Sequence, residues 1–254
     1  MSFLQLYPIK TPNVKVGDNL VELILESMKT QNLRFEDNDI LVLTSKIVSY
    51  SEGRVLKLGD VKPSKKSQQL AEQYSLEPEF AELIVREADR ICGGVEKAVL
   101  TLSHGILTAN SGIDNKNAPP GFVVLWPANP EKTVSEFKER LLRRTGKRVA
   151  VMIIDSGLIP LRIGTIGLAI AVAGFKPIKD DRGRCDLFGR KITITRQAVA
   201  DDLASAAHLM MGESTQRIPA VIVRDAPVDF DDGVYGSKEM MMPFKECLFM
   251  NTTK

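Results

Sequence analysis

The run Arg148-Val149-Ala150-Val151-Met152-Ile153-Ile154-Asp155-Ser156 constrains the fold more than any other stretch of the chain. A strand this apolar has no face to give to water, so it belongs inside a sheet covered on both sides. It is expected to end abruptly at Asp155 and Ser156, and polar groups set directly after a buried strand are well placed for a site. With 254 residues, 44% apolar and 26% charged, the chain can bury the large core such a sheet needs.

Other elements are legible around it. Asp18 is positioned to cap a helical stripe of Leu20, Val21, Leu23, Ile24 and Leu25. Asp39 to Ser49 reads as a buried strand running into a polar loop, and Pro63-Ser64 and Pro78 introduce helical patterns over roughly 65–74 and 79–90. Alternating apolar residues flank His104-Gly105, which predicts a hairpin. Asn129-Pro130 suits the start of a helix, and Arg143, Arg144 and Gly146 suit its end. A Gly-spaced apolar segment from about Ile163 to Phe175 precedes a helix over Arg196 to Met211, with Ala198, Val199, Leu203, Ala206, Ala207 and Met210 facing inward. "IPAVIVRD" is one more strand. Periodicity then fades from Ala226 onward, so residues 1–225 are expected to form one domain and 226–254 a C-terminal tail packed on it. Strands and helices do not alternate regularly enough for a doubly wound sheet; the expected class is α+β, with mixed sheets and helices.

The formal charge of +2 supplies no overall electrostatic drive toward nucleic acid or a membrane surface, and neither is expected as a partner. Cys92, Cys185 and Cys247 are an odd, dispersed set without a C-x-x-C pair, which points to a reducing cytoplasm. The opening "MSFLQLYPIK" lacks signal-peptide character, and the most apolar segment, Leu168 to Phe175, is too short to span a bilayer.

Nucleotide motifs of the common kinds fail. Gly146-Lys147 is followed by Arg148, with Leu141 where a P-loop needs its first glycine, and no G-x-G-x-x-G follows a strand. His104 and His208 are the only histidines, too few for a multi-histidine zinc cluster, and packing is the preferred reading of both. The oxygen-rich stretch "ANSGIDNKN", Ala109 to Asn117, has two readings, a turn or ligands for a hard cation. Asp114, Asp155 and Glu213 each fall in an expected loop beside an apolar element, alongside Asn117, Ser156 and Ser214. Oxygen donors of this sort suit Mg²⁺ or Mn²⁺.

Taken in order, "TSKIVSYSEGR", "ANSGIDNKN", "VMIIDS", "RIGTIGLAIAVAGFKPIKDDRGRCDLFGRKITIT", "AVADDLASAAHLMMGE" and "IPAVIVR" resemble the successive landmarks of the coenzyme F-420-0:L-glutamate ligase, or gamma-glutamyl ligase, family over roughly residues 8–225. The resemblance implies an intertwined α+β homodimer. It further implies a GTP-dependent ligase, aided by Mg²⁺ or Mn²⁺, that joins a substrate carboxylate to L-glutamate as in coenzyme F420 biosynthesis. Matched position by position, Asp114, Asp155, Ser156 and Glu213 become metal ligands, and Asp155, Ser156 and Arg162 catalytic residues. The nucleotide falls to Thr11, Pro12, Asn13, Val14, Ser45, Lys46, Asn117, Met211, Gly212, Ser214 and Ile218.

The chain departs from the family pattern at two anion-handling positions. Tyr50 replaces a lysine and cannot supply its charge at neutral pH; Ile159 replaces an arginine and removes a planar donor, while Arg162 remains. A C-terminal flavin-binding domain, fused to some bacterial relatives, is not expected. The alternatives are a non-catalytic nucleotide- or ligand-binding homologue, or a ligase with a different acceptor.

Overall fold

The computed structural model describes residues 3–252. In chain order its strands are β1 (Gln5–Ile9), β2 (Ile40–Thr44), β3 (Val55–Lys57), β4 (Arg90–Val95), β5 (Ala98–Ser103), β6 (Ile106–Ala109), β7 (Phe122–Val124), β8 (Ala150–Leu158), β9 (Thr165–Phe175), β10 (Lys179–Asp180), β11 (Arg196–Gln197), β12 (Ala220–Arg224) and β13 (Phe230–Tyr235). The helices are α1 (Leu20–Thr30), α2 (Ser45–Ser51), α3 (Lys65–Tyr74), α4 (Pro78–Glu87), α5 (Pro130–Thr145), α6 (Val199–Met211), α7 (Ser237–Met240) and α8 (Leu248–Thr252).

The apolar run is β8, a central strand of a six-stranded sheet ordered β1-β12-β2-β8-β9-β13. β2 and β8 pair in parallel, from Ile40 opposite Ala150 to Thr44 opposite Ile154; the other neighbours are antiparallel. Because side chains alternate across a strand, each central strand feeds two cores. Leu41, Leu43, Val151 and Ile153 join Val21 and Ile24 of α1 and Phe137 and Leu141 of α5. Ile40, Val42, Met152 and Ile154 meet Leu203, Ala207 and Met211 of α6 on the opposite face. Covering both faces is what permits the unbroken apolar sequence, and the fold is α+β with mixed sheets.

A smaller core, built from α3, α4, β5 and β7, includes Leu83, Ile84, Val99 and Val123. Beside it β4, β5 and β6 form an antiparallel sheet in which β5 and β6 make the hairpin expected around His104-Gly105. α5 is also as expected: Asn129 Oδ1 accepts from Lys132 N at 2.9 Å, Pro130 leads, and Gly146 ends it.

Several local expectations are corrected. Residues 45–51 form a helix, not a loop; seven residues are too few to show a helical period. The cap of α1 is Asn19, while Asp18 Oδ2 accepts from Lys15 N. β8 does not stop at Asp155; it continues to Leu158 in a long hairpin with β9, after a register shift at Ile153 and Ile154. On α6, Met211 is buried and Met210 is exposed, as is Ala198. The residues after Ala226 add β13 to the sheet edge. Their acidic character hides the pattern, because Asp231 accepts from Tyr235 and Asp232 pairs with Lys138.

Gly167 sets the distance between α6 and the sheet. A Cβ there would lie 2.2 Å from the Ala204 carbonyl oxygen, and Ser205 Oγ donates to the Gly167 carbonyl at 3.1 Å. Between β9 and α6, the ribbon closed by β10 and β11 carries exposed Leu187, Phe188 and Ile194.

Candidate functional site

A cleft of about 1490 Å³ opens where the segment after β1, the start of α2, the Asp114 loop, β8 and the segment after α6 meet. Thr11, Pro12, Asn13 and Val14 form one wall, with Ser45 and Lys46 beside them. Asp114, Asn117, Asp155 and Ser156 line its base, and Met211, Gly212, Glu213, Ser214 and Ile218 complete it. Residues far apart in sequence are thus gathered by the crossovers of the sheet. Arg162 is not among them. Because β8 runs on beyond Asp155, Ile159 and Arg162 sit in the exposed turn before β9, roughly 10 Å or more along the strand from Asp155 at about 3.3 Å per residue.

Asp114 is fixed from three sides. Its backbone exchanges hydrogen bonds with Val124, its Oδ1 accepts from Lys116 N at 2.7 Å, and its Oδ2 meets Lys46 Nζ at 2.6 Å. Lys46 Nζ also donates to the Lys116 carbonyl at 2.9 Å. One helical turn on, Tyr50 Oη donates to the Asn117 carbonyl at 3.2 Å, and burial raises its pKa. Asn117 Nδ2 in turn donates to the Ser214 carbonyl at 3.2 Å, joining the two loops that border the cleft.

Asp155 accepts from Ser156 N at 2.8 Å through Oδ1 and from Trp126 Nε1 through Oδ2. Part of the residue remains open to the cleft, but the protein packed around its carboxyl dominates. Desolvation pushes its pKa up to about 6, against the Trp126 and Ser156 hydrogen bonds; the nearby Asp114 charge raises it further and Lys46 lowers it. Glu213 Oε1 meets His208 Nε2 at 2.7 Å and Thr165 Oγ1 at 2.9 Å. Burial opposes ionisation there, yet the His208 and Thr165 hydrogen bonds together hold the pKa below its ordinary value.

Among the described residues, no three His, Cys, Asp or Glu side chains are gathered as a ready metal cage. The three carboxylates share a cleft without forming a tight cluster. The donor chemistry nonetheless fits a hard divalent cation. Mg²⁺ is commonly held by one or two carboxylates, with waters and phosphates completing its shell, and Asp114 and Asp155 are electrostatic neighbours whose mutual repulsion a cation relieves.

Sequence reasoning missed Trp126, Thr165 and the part played by His208. Trp126 is the only tryptophan of the chain, and a lone buried indole must find an acceptor for its N–H. His208, read as packing, lines the cleft and pairs with Glu213. Of the two family departures, Tyr50 lines the cleft and Ile159 does not.

Residues 8–225 match the family described as F420-0:Gamma-glutamyl ligase. The chain is 35% identical over 240 residues to Coenzyme F420:L-glutamate ligase of Archaeoglobus fulgidus, covering 93% of this chain and 94% of that protein. It is 36% identical over 246 residues to the protein of the same name from Methanocaldococcus jannaschii, covering 96% and 95% of the two chains. A third such ligase, from Methanothermobacter thermautotrophicus, is 36% identical over 233 residues, with 91% and 92% covered.

Proposed function

Since the chain belongs to the F420-0:gamma-glutamyl ligase family, we propose that it joins a substrate carboxylate to L-glutamate at the expense of a nucleoside triphosphate, GTP by family resemblance. The observation that carries this reading is the placing of Lys46, Asp114 and Asp155 at the base of one cleft whose walls include Thr11–Val14 and Gly212–Ser214. At about 1490 Å³ the cleft exceeds the usual small-molecule pocket of roughly 300–1,000 Å³, as a site for a nucleotide and a second substrate must.

A carboxylate is a poor acyl donor. An oxygen of the acceptor carboxylate attacks the terminal phosphorus of the nucleotide, and the bond to the bridging oxygen breaks to release the diphosphate. The glutamate amine then attacks the acyl carbon of the acyl phosphate, inorganic phosphate leaves, and the nitrogen loses a proton as the amide forms. Lys10, Lys46 and Arg217 supply positive charge along the cleft for the phosphates. Asp114 and Asp155, with Glu213 and the Ser156 hydroxyl beside them, would hold Mg²⁺ or Mn²⁺, which when bound stabilises charge on the transferred phosphoryl group. Asn117 ties the Asp114 loop to Ser214 and keeps the two borders of the cleft in register.

Incubation with GTP or ATP, Mg²⁺ or Mn²⁺, L-glutamate and a deazaflavin acceptor of the F420-0 type tests the proposal. The expected product is heavier than the acceptor by glutamyl units, with one nucleoside diphosphate and one inorganic phosphate released per amide. Nucleotide binding without diphosphate release would instead support a non-catalytic homologue. Tyr50 favours one variation, a different acceptor, because it brings a neutral phenol to the cleft. If so, Tyr50→Lys should raise kcat/KM for the F420-0-type acceptor by about tenfold, the worth of one charge-assisted hydrogen bond.

Two further features accompany this reading. The protein acts as a homodimer, supported by the exposed apolar residues of the β8–β9 turn and the ribbon. It works in a reducing cytoplasm, which suits three free cysteines. Among the described residues no helix is long and apolar enough to cross a membrane.

A further inference from the structure

Trp126 sits at the junction of the two cores that deliver Asp114 and Asp155. It is 3% exposed, and its indole N–H donates to Asp155 Oδ2. The ring has little freedom to withdraw that bond. A Cβ at Gly112 would stand 2.1 Å from Trp126 Cε2 and 2.2 Å from Nε1, so the backbone of the Asn110–Gly112 turn lies directly against the edge that carries the N–H. The His104 ring packs at 6.4 Å between centroids. The Trp126 carbonyl accepts from Arg54 Nε at 2.9 Å, and Arg54 is itself anchored by Glu87 at 2.6 Å. Backbone and side chain are therefore held independently.

The nature of the donor matters as much as its position. An indole is a donor only and carries no charge. It fixes the rotamer of a carboxylate without cancelling the negative charge, whereas an ammonium does both, as Lys46 does at Asp114. With Ser156 N on Oδ1 and Trp126 Nε1 on Oδ2, each oxygen of Asp155 has one neutral partner and keeps lone-pair capacity for the cleft. Hydrogen-bonded supports of this kind orient metal-ligating side chains, and their loss typically costs roughly 10–100-fold in metal affinity or activity.

We propose that Trp126 is a positioning residue for Asp155: its indole N–H, wedged against the Gly112 backbone, fixes the carboxylate in the orientation that receives a divalent cation. This rests on the cation-dependent reading above. The Asp114-bearing turn and the Asp155-bearing strand are then coupled through one side chain, because a shift of Gly112 moves the ring and a shift of the ring moves Asp155.

Because the chain contains a single tryptophan, residue-wide replacement by benzothienylalanine changes this position alone, exchanging the N–H for sulfur in a ring of nearly the same shape. Mn²⁺ binding to the full chain, measured by electron paramagnetic resonance, should weaken by roughly 10–100-fold, with an unchanged circular dichroism spectrum. Equal affinity in the native and substituted proteins would overturn the inference and leave the proposed function standing; no Mn²⁺ binding by the native protein would overturn the inference together with the cation dependence. A second measurement needs no tryptophan replacement. In the native protein the lone ¹⁵N-indole resonance should shift saturably with Mg²⁺, and Asp155→Asn should abolish that shift. An indole signal that stays still while calorimetry records Mg²⁺ binding would also refute the proposal.

Discussion

Lys46 Nζ stands 2.6 Å from Asp114 Oδ2, closing an ion pair between the first turn of α2 and the loop after β6. The same ammonium is one of the few cations facing the cleft, so in the proposed reaction it has two competing uses, neutralising Asp114 and meeting phosphate. Lys46→Met separates them. Without the ammonium, Asp114 is free for a divalent ion, and Mn²⁺ should bind more tightly in the absence of nucleotide. Ligase turnover should nevertheless fall by roughly 10²-fold, the usual cost of losing one stabilising donor at a transferring group. Paramagnetic titration and steady-state kinetics check the two signs; a parallel loss of both would show that Lys46 serves only to hold the loop.

The approach of α6 to the sheet depends on the missing side chain at Gly167. A methyl group there meets the Ala204 carbonyl at 2.2 Å, and neither backbone yields easily. Gly167→Ala should therefore destabilise the fold by about 1–3 kcal/mol, the range for overpacking. Thermal melting should show it directly. Because α6 also carries His208 and leads into Glu213, residual activity at low temperature should fall as well.

Much of this was readable because burial on both faces leaves a plain mark. The Ala150–Ile154 half of β8 declared itself by having no polar position, α5 by Asn129, Pro130 and Gly146, and the β5–β6 hairpin by alternation around His104-Gly105. The gathering of Asp114, Asp155 and Glu213 in one cleft followed from family order, not from any local pattern. What escaped depended on contacts across the chain. Seven residues of α2 carry too little periodicity, and the extension of β8 past Asp155 depends on pairing with β9, which moves Arg162 off the cleft. Trp126 carries no local sign of its role, since the distance between positions 126 and 155 conceals its acceptor.

Glu82 gives the small core a pH dependence. Its Oε2 accepts at 3.0 Å from the N–H of Ser64, the cap of α3, which ties α3 to α4, and its Oε1 accepts from Arg86 Nε within α4 at 2.8 Å. The hydrogen bonds of Ser64, then Arg86, hold its pKa at about 2 against an ordinary 4.5, with burial acting in the opposite sense. Because folding lowers this pKa, the unfolded chain takes up the proton first. The stabilisation is thus complete above the ordinary value and is lost as pH falls from 4.5 toward 2. In Glu82→Gln the melting temperature should decline less steeply across that window; superimposable slopes would assign the acid sensitivity to other carboxylates.

The apolar segment Ile163 to Phe175 can be read from sequence equally as an interface or as the core of one chain; from Ala169 to Phe175 it is buried within β9 of a single chain. The apolar surface left open lies at the start of this segment, with Leu161 and Ile163 fully exposed at the β8–β9 turn, and in the ribbon, with Leu187 at 99%. Exposed apolar side chains of this size suit a surface covered by a partner. In the proposed homodimer a two-fold axis would cover them with their own counterparts, and obligate pairs bury roughly 2,000 Å² or more in total. Light scattering at micromolar concentration should give twice the 28.1 kDa chain mass. Leu161→Asp combined with Phe188→Asp should return a folded monomer by light scattering and circular dichroism, because a carboxylate in an apolar contact costs several kcal/mol unless paired. A wild-type protein that stays at the monomer mass would refute the pairing, and a double variant that stays dimeric would place the interface on another face.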